Sequence, residues 1–161
     1  MSARERVWTD TTEHVDTYRR TDGAEGHWWH GRPHLLLGTT GRRSGRPHTV
    51  PLVYARSGTP AGERLVVVAS ASGAEQHPAW YLNLAADPRV TVRLCDQEWS
   101  TTAERAVGPV LDAAWEAMTR TWEGFAAYRR DTVRVIPVLL LAGRSGGTLP
   151  PPRTTTADAL P

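Results

Sequence analysis

The stretch His34–Ala55, HLLLGTTGRRSGRPHTVPLVYA, decides the fold. It reads as an apolar strand, a tight turn and a second apolar strand. The turn carries Arg42 and Arg43, with Arg46 just beyond it. A turn between strands exposes successive backbone N–H groups, and arginines beside such a nest can hold an anion in place. TTGRRSGRP is therefore a candidate phosphate or carboxylate site, with a solvated basic turn as the alternative. A P-loop is excluded, because the Gly-Lys-Ser/Thr ending and the following helix are missing.

Outward from this hairpin, residues 3–20 have helical spacing, with Val7, Trp8, Thr11, Val15 and Tyr18 on one face. TDGAEG breaks that helix, and the aromatic segment HWWHGRP leads into strand one, His34 to Thr40. Strand two runs from Arg46 to Arg56, and ERLVVVAS is the third strand. HPAWYLNLAADP reads as a short helix with Pro78 in its first turn. RVTVRLC and EWSTTAERAV form a hairpin turning at Asp96–Gln97. PVLDAAWEAMTRTW is amphipathic, with Leu111, Trp115, Met118 and Trp122 on one stripe, and EGFAAYRRD continues it after a kink at Gly124. VRVIPVLLLAG is the last strand, where Pro137 suggests an edge or bulged position. About six antiparallel strands with flanking helices predict a mainly β, α+β barrel.

The expected organisation has three parts. Residues 1–33 form an N-terminal helix and aromatic segment packing on or lidding the barrel. Residues 34–143 form the barrel, and 144–161 form a disordered tail rich in Gly, Pro and Thr.

Composition narrows the function classes. A chain of 161 residues suits one domain. All 19 basic residues are arginine, yet the formal charge is only +2, so no general nucleic-acid footprint is expected. The single cysteine, Cys95, excludes an internal disulfide and reads as a passive thiol. MSARERVWTD lacks an apolar leader core, and no apolar run reaches membrane-span length, so a cytoplasmic setting is expected. Seven tryptophans beside one phenylalanine point to a core plus a wide apolar pocket. His27, His30 and His34 are spaced as on a helix, but Gly31 and Pro33 oppose a helix and no cysteine or carboxylate completes a ligand set. No metal is expected. HWWH reads either as a lid over the substrate or as ordinary packing.

Three segments together, LLLGTTGRRSGRPHTVPLVY, VVVASASGAEQHPAWYLNLAADPRVTV and YRRDTVRVIPVLLL, resemble the deazaflavin-dependent nitroreductase family. That family has a split β-barrel related to FMN-binding flavin reductase-like proteins. The resemblance spans about Leu35 to Leu141 and implies coenzyme F420, a deazaflavin with a phosphodiester and a glutamate tail. It places Arg42, Arg43, Ser44, Arg46 and His48 near the phosphate or acidic tail. Pro51 falls beside the ring, with Val68, Ala69 and Ser70 opposite. It leaves FMN, or no cofactor, as alternatives, and it leaves homodimerisation open.

Two departures from the family pattern concern the cofactor. His48 stands where the family has arginine, and Ala71 where it has lysine. Losing both contacts weakens binding by roughly tens to thousands of fold, if Arg46 does not compensate. On the substrate side, Trp122 and Phe125 occupy two tyrosine positions and Tyr128 matches a third, leaving Tyr128 as the candidate acid. The candidate substrate-binding residues are Trp28, Trp29, Trp80, Trp115, Trp122 and Phe125, around an apolar small molecule. Tyr81 and Asn83 read as packing residues of the short helix.

Two functions follow. The first is an oxidoreductase passing a hydride from reduced F420 to an apolar small-molecule acceptor, with specialised metabolism as the expected setting. The second is a cofactor-free barrel that folds an apolar intermediate for cyclisation, acting through near-attack geometry. A non-catalytic binder of apolar ligands is the third and weakest reading.

Overall fold

A computed structural model describes residues 11–58 and 62–144. The strands are β1 (Trp28–Trp29), β2 (Arg32–Thr40), β3 (Pro47–Val53), β4 (Ala55–Ser57), β5 (Arg64–Val68), β6 (Arg89–Leu94), β7 (Gln97–Arg105) and β8 (Val138–Leu141). The helices are α1 (Thr11–Arg20), α2 (Ala79–Ala86), α3 (Gly108–Thr121) and α4 (Gly124–Asp131), with a 3-10 turn at Ala71–Gly73. Every strand pairing is antiparallel. The sheet runs β3-β2-β6-β7-β8-β5-β4, with β1 also on β2. β3 and β4, the two ends of that path, are joined through the single residue Tyr54. The sheet therefore curls until its edges meet, as in a split barrel.

Period-two alternation explains how each strand serves two cores. In β2, Leu35 and Leu37 face the barrel interior, while Leu36 lies outside with Val15 and Tyr18 of α1. In β5, Leu65 and Val67 face inward, while Val66 and Val68 pack under Ala114, Trp115 and Met118 of α3. Burial on both faces is why this strand reads as an unbroken apolar run.

Several expectations change. The expected strand Arg46 to Arg56 divides at Tyr54, whose N–H bonds Pro33 O and whose Oη lies 2.9 Å from His27 Nε2. This break and the short β1 raise the count from six strands to eight. Pro137 sits just before β8, which lies between β5 and β7 and is not an edge. Pro137 O accepts from Ala69 N–H, but proline has no N–H to return to Ala69 O, so the ladder ends there and Ala69 O accepts from Arg134 Nη2 instead. The β6–β7 turn is Cys95–Asp96, one residue earlier than expected, with Cys95 at φ +56°. The helix face of α1 shifts: His14, Val15, Thr17 and Tyr18 are buried, and Thr11 is exposed. The break between α3 and α4 falls at Trp122, whose indole folds over Gly124; a Cβ on Gly124 would lie 2.2 Å from the ring. The expected helix over residues 3–10 and the tail beyond Arg144 lie outside the described residues. No helix among the described residues is long and apolar enough to cross a membrane.

Candidate functional site

The arginine turn is built on close approach. Gly41 is buried, and a Cβ there would meet Ser44 Oγ at 2.7 Å and His48 Nε2 at 2.8 Å. Gly41 N–H donates to Arg46 O and Gly45 N–H to Gly41 O, both at 2.8 Å. Ser44 Oγ accepts from Arg46 N–H at 3.2 Å. These bonds and Ser44 close the turn, with the His48 ring lying beside Gly41. The three arginines then part company. Arg42 is tied down: its N–H and its Nη1 both donate to Asn83 Oδ1 on α2, at 3.2 and 3.1 Å. Asn83, itself buried, donates from Nδ2 to Thr39 Oγ1 at 3.2 Å. Arg43 and Arg46 are exposed, and among the described residues their guanidinium groups have no partner.

α2 links this turn to a second element, the loop that follows β5. Ser70 is right-handed (φ −78°, ψ −27°) and Ala71 is left-handed, with φ +46°. That sequence turns neighbouring N–H groups to one side, the arrangement that cradles anions. Tyr128 lies on Gly73 (φ +80°); a Cβ there would be 3.2 Å from Tyr128 Cδ1. Behind the loop, Arg134 donates to Ala69 O, Ser70 O, Ala74 O and His77 Nδ1. Sequence reading missed Arg134 and took Asn83 for packing. The one available signal was an arginine in an apolar run, Val133-Arg134-Val135-Ile136.

An aromatic wall adjoins the loop. Trp122, Phe125 and Tyr128 meet edge to face, with centroids 5.1, 5.4 and 6.1 Å apart. The Arg32 guanidinium lies 3.9 Å above the Trp122 ring. Trp28 pairs with Pro33 and Trp29 with Arg32, so HWWH forms a short strand on β2, with the Trp29 ring against His14, His30 and His34 and the Trp28 ring against His27. Trp28 is 38% exposed and Trp29 half-buried. Trp80 and Trp115 are elsewhere. Trp80 belongs to the barrel core and Trp115 to the core under α3, and their burial makes them packing residues. Pro51 is half-buried on β3 opposite Leu36, and Val68, Ala69 and Ser70 are buried at the end of β5.

Three of the histidines, His14, His34 and His77, are tied into the structure. His34 Nδ1 lies 2.9 Å from Arg32 O, and burial pushes its pKa down to about 4. Burial also lowers His14, against the opposing bond to Gly26 O. Burial and then the Arg134 charge lower His77. It accepts from Arg134 at Nδ1, so its proton sits on Nε2. Among the described residues, no group of three His, Cys, Asp or Glu is placed to hold a metal.

The donors present fit an extended anion with a flat ring: two unpaired guanidinium groups, a backbone nest and an adjoining aromatic wall. A family model described as F420H(2)-dependent quinone reductase matches residues 10–142. The F420H(2)-dependent quinone reductase Rv1261c of Mycobacterium tuberculosis is 34% identical over 135 residues, covering 81% of this chain and 88% of that one. The solved structure of the F420-H2 dependent reductase FDR-A aligns with a TM-score of 0.61 at 32% identity, over 68% of this chain and 94% of that one. A structure described as a domain-swapped dimer aligns with a TM-score of 0.62 at 29% identity, over 82% and 99%.

Proposed function

The chain belongs to the F420H(2)-dependent quinone reductase family, and from that membership we propose that it reduces a quinone-type small molecule with F420H2. The observation that carries the reading is the adjacency of Tyr128 to Gly73, in the same loop as the Ser70–Ala71 nest. When bound, reduced F420 supplies a hydride. Arg43 and Arg46 hold the anionic part of the cofactor by charge-assisted hydrogen bonds. The amides of Ser70 and Ala71 fix its phosphate. Trp122, backed by the buried Phe125, excludes water and presents a flat apolar face to the acceptor. The Tyr128 hydroxyl donates the proton that completes reduction at the acceptor oxygen and recovers it from solvent. Rv1261c and FDR-A are both named for F420H2-dependent reduction, and the cofactor-free cyclase finds no support among them. Dimerisation has a precedent in the domain-swapped structure.

The test is F420H2 oxidation in the presence of a soluble naphthoquinone. Tyr128→Phe is expected to lower turnover roughly a hundredfold while leaving F420 affinity near wild type. No quinone-dependent oxidation by the wild-type chain, or a Tyr128→Phe variant as fast as wild type, refutes the corresponding assignment.

A further inference from the structure

Arg134 lies in the extended segment between α4 and β8, where polarity is inverted. Its neighbours Val133 and Val135 are 94% and 73% exposed, while Arg134 is half-buried. Among the described residues no carboxylate pairs with it. Its donors go instead to one loop: Nε to Ala74 O at 2.8 Å, Nη2 to Ala69 O at 3.0 Å and Ser70 O at 2.8 Å, and Nη1 to His77 Nδ1 at 3.1 Å. A planar guanidinium can serve several acceptors at once, which a lysine ammonium at the end of a flexible stem does far less rigidly.

Peptide geometry determines what this does to the other side of the loop. In a trans peptide the C=O and the N–H of the next residue point in opposite directions. Drawing Ala69 O and Ser70 O toward one guanidinium therefore turns the N–H groups of Ser70 and Ala71 away from it. The left-handed φ of Ala71 is disfavoured for a residue with a Cβ and needs support from its surroundings. Arg134 supplies that support from behind. It also polarises both peptides, because hydrogen bonds in series strengthen one another.

We infer that Arg134 is a positioning residue for the cofactor phosphate, holding the Ala69–Ala74 backbone as an anion nest. The nest supplies through N–H dipoles what a lysine at position 71 would supply as charge. Arg134 touches neither cofactor nor substrate. The inference rests on the reading of the site proposed above.

The experiment titrates the full chain with two ligands and follows cofactor fluorescence. One ligand is F420; the other is its deazaflavin chromophore without phosphate or glutamate tail. Arg134→Gln is expected to weaken F420 binding roughly ten- to hundredfold and to change chromophore binding less than about twofold. Arg134→Lys keeps the charge but loses the planar fork, so it falls between wild type and Arg134→Gln. Adding Ala71→Lys to Arg134→Gln restores most of the lost affinity. Equal weakening of both ligands makes Arg134 an ordinary loop support and overturns the inference, as does unchanged F420 binding. If Arg134→Gln does not fold, Arg134→Lys carries the same test: selective loss of F420 supports the inference and parallel loss overturns it. A wild-type chain that binds neither ligand overturns the reading of the site itself, a result distinct from failure at Arg134.

Discussion

The arginine turn and the loop after β5 offer an anion two different surfaces. The turn presents charge on two long exposed side chains, Arg43 and Arg46, above a hairpin closed by Gly41. The loop presents backbone N–H groups and keeps its charge behind them on Arg134. Exposed arginines lose rotamer freedom when they bind, and salt screens them. A backbone nest is already ordered and has little left to lose. The turn is thus suited to reach and capture, and the loop to fixing position.

The largest expected effect bounds the conditions under which the two can be compared. His34 is buried and neutral in the folded chain until about pH 4, whereas an unfolded histidine takes a proton near pH 6.5. As pH falls from 6.5 to 4 the unfolded state binds the extra proton. The fold then loses on the order of 3 kcal/mol, with no further loss from this residue below that range. Urea melts across pH 7 to 4 measure it, and His34→Gln should flatten the slope. A midpoint that does not move with pH would remove His34 from the account. Binding is best compared at pH 7 or above.

Next in size is the double substitution Arg43→Ala with Arg46→Ala. F420 affinity should fall roughly ten- to hundredfold, and its dependence on salt should flatten, because the screened charges are gone. If the salt dependence persists in this variant and disappears in Arg134→Gln, the roles of turn and loop are reversed.

The smallest effect belongs to Asn83→Ala. Asn83 receives both Arg42 donors and reaches Thr39. Its removal frees the turn without removing either exposed guanidinium. F420 affinity should fall roughly three- to tenfold, mainly through faster dissociation. A loss as large as that of the double arginine variant would show that Arg42 itself binds the cofactor.

Much of the fold was legible because its signals are local. The apolar runs in HLLLGTT and TVPLVY, split by a tight turn, marked the hairpin, and the arginines between them marked an anion site. Trp80 shows the limit. α2 is apolar almost all round, so spacing could not say whether Trp80 faced a ligand or the core, and docking on the barrel turned it inward. The division of the strand at Tyr54 was hidden for a similar reason. Both halves have strand-forming sequence, and only curling of the sheet sends one to β2 and the other to β5.

The sequence by itself determined the strand periodicity, the tight turn at Gly41 and the presence of three arginines around it, since these depend on neighbours a few residues apart. Tertiary structure decided which arginine is bound internally, which two are free, and that a fourth, 65 residues from Ala69, shapes the opposite loop. A guanidinium on a long flexible stem has many acceptors within reach. Its partner is chosen by whatever the folded chain brings near, and no local pattern encodes that.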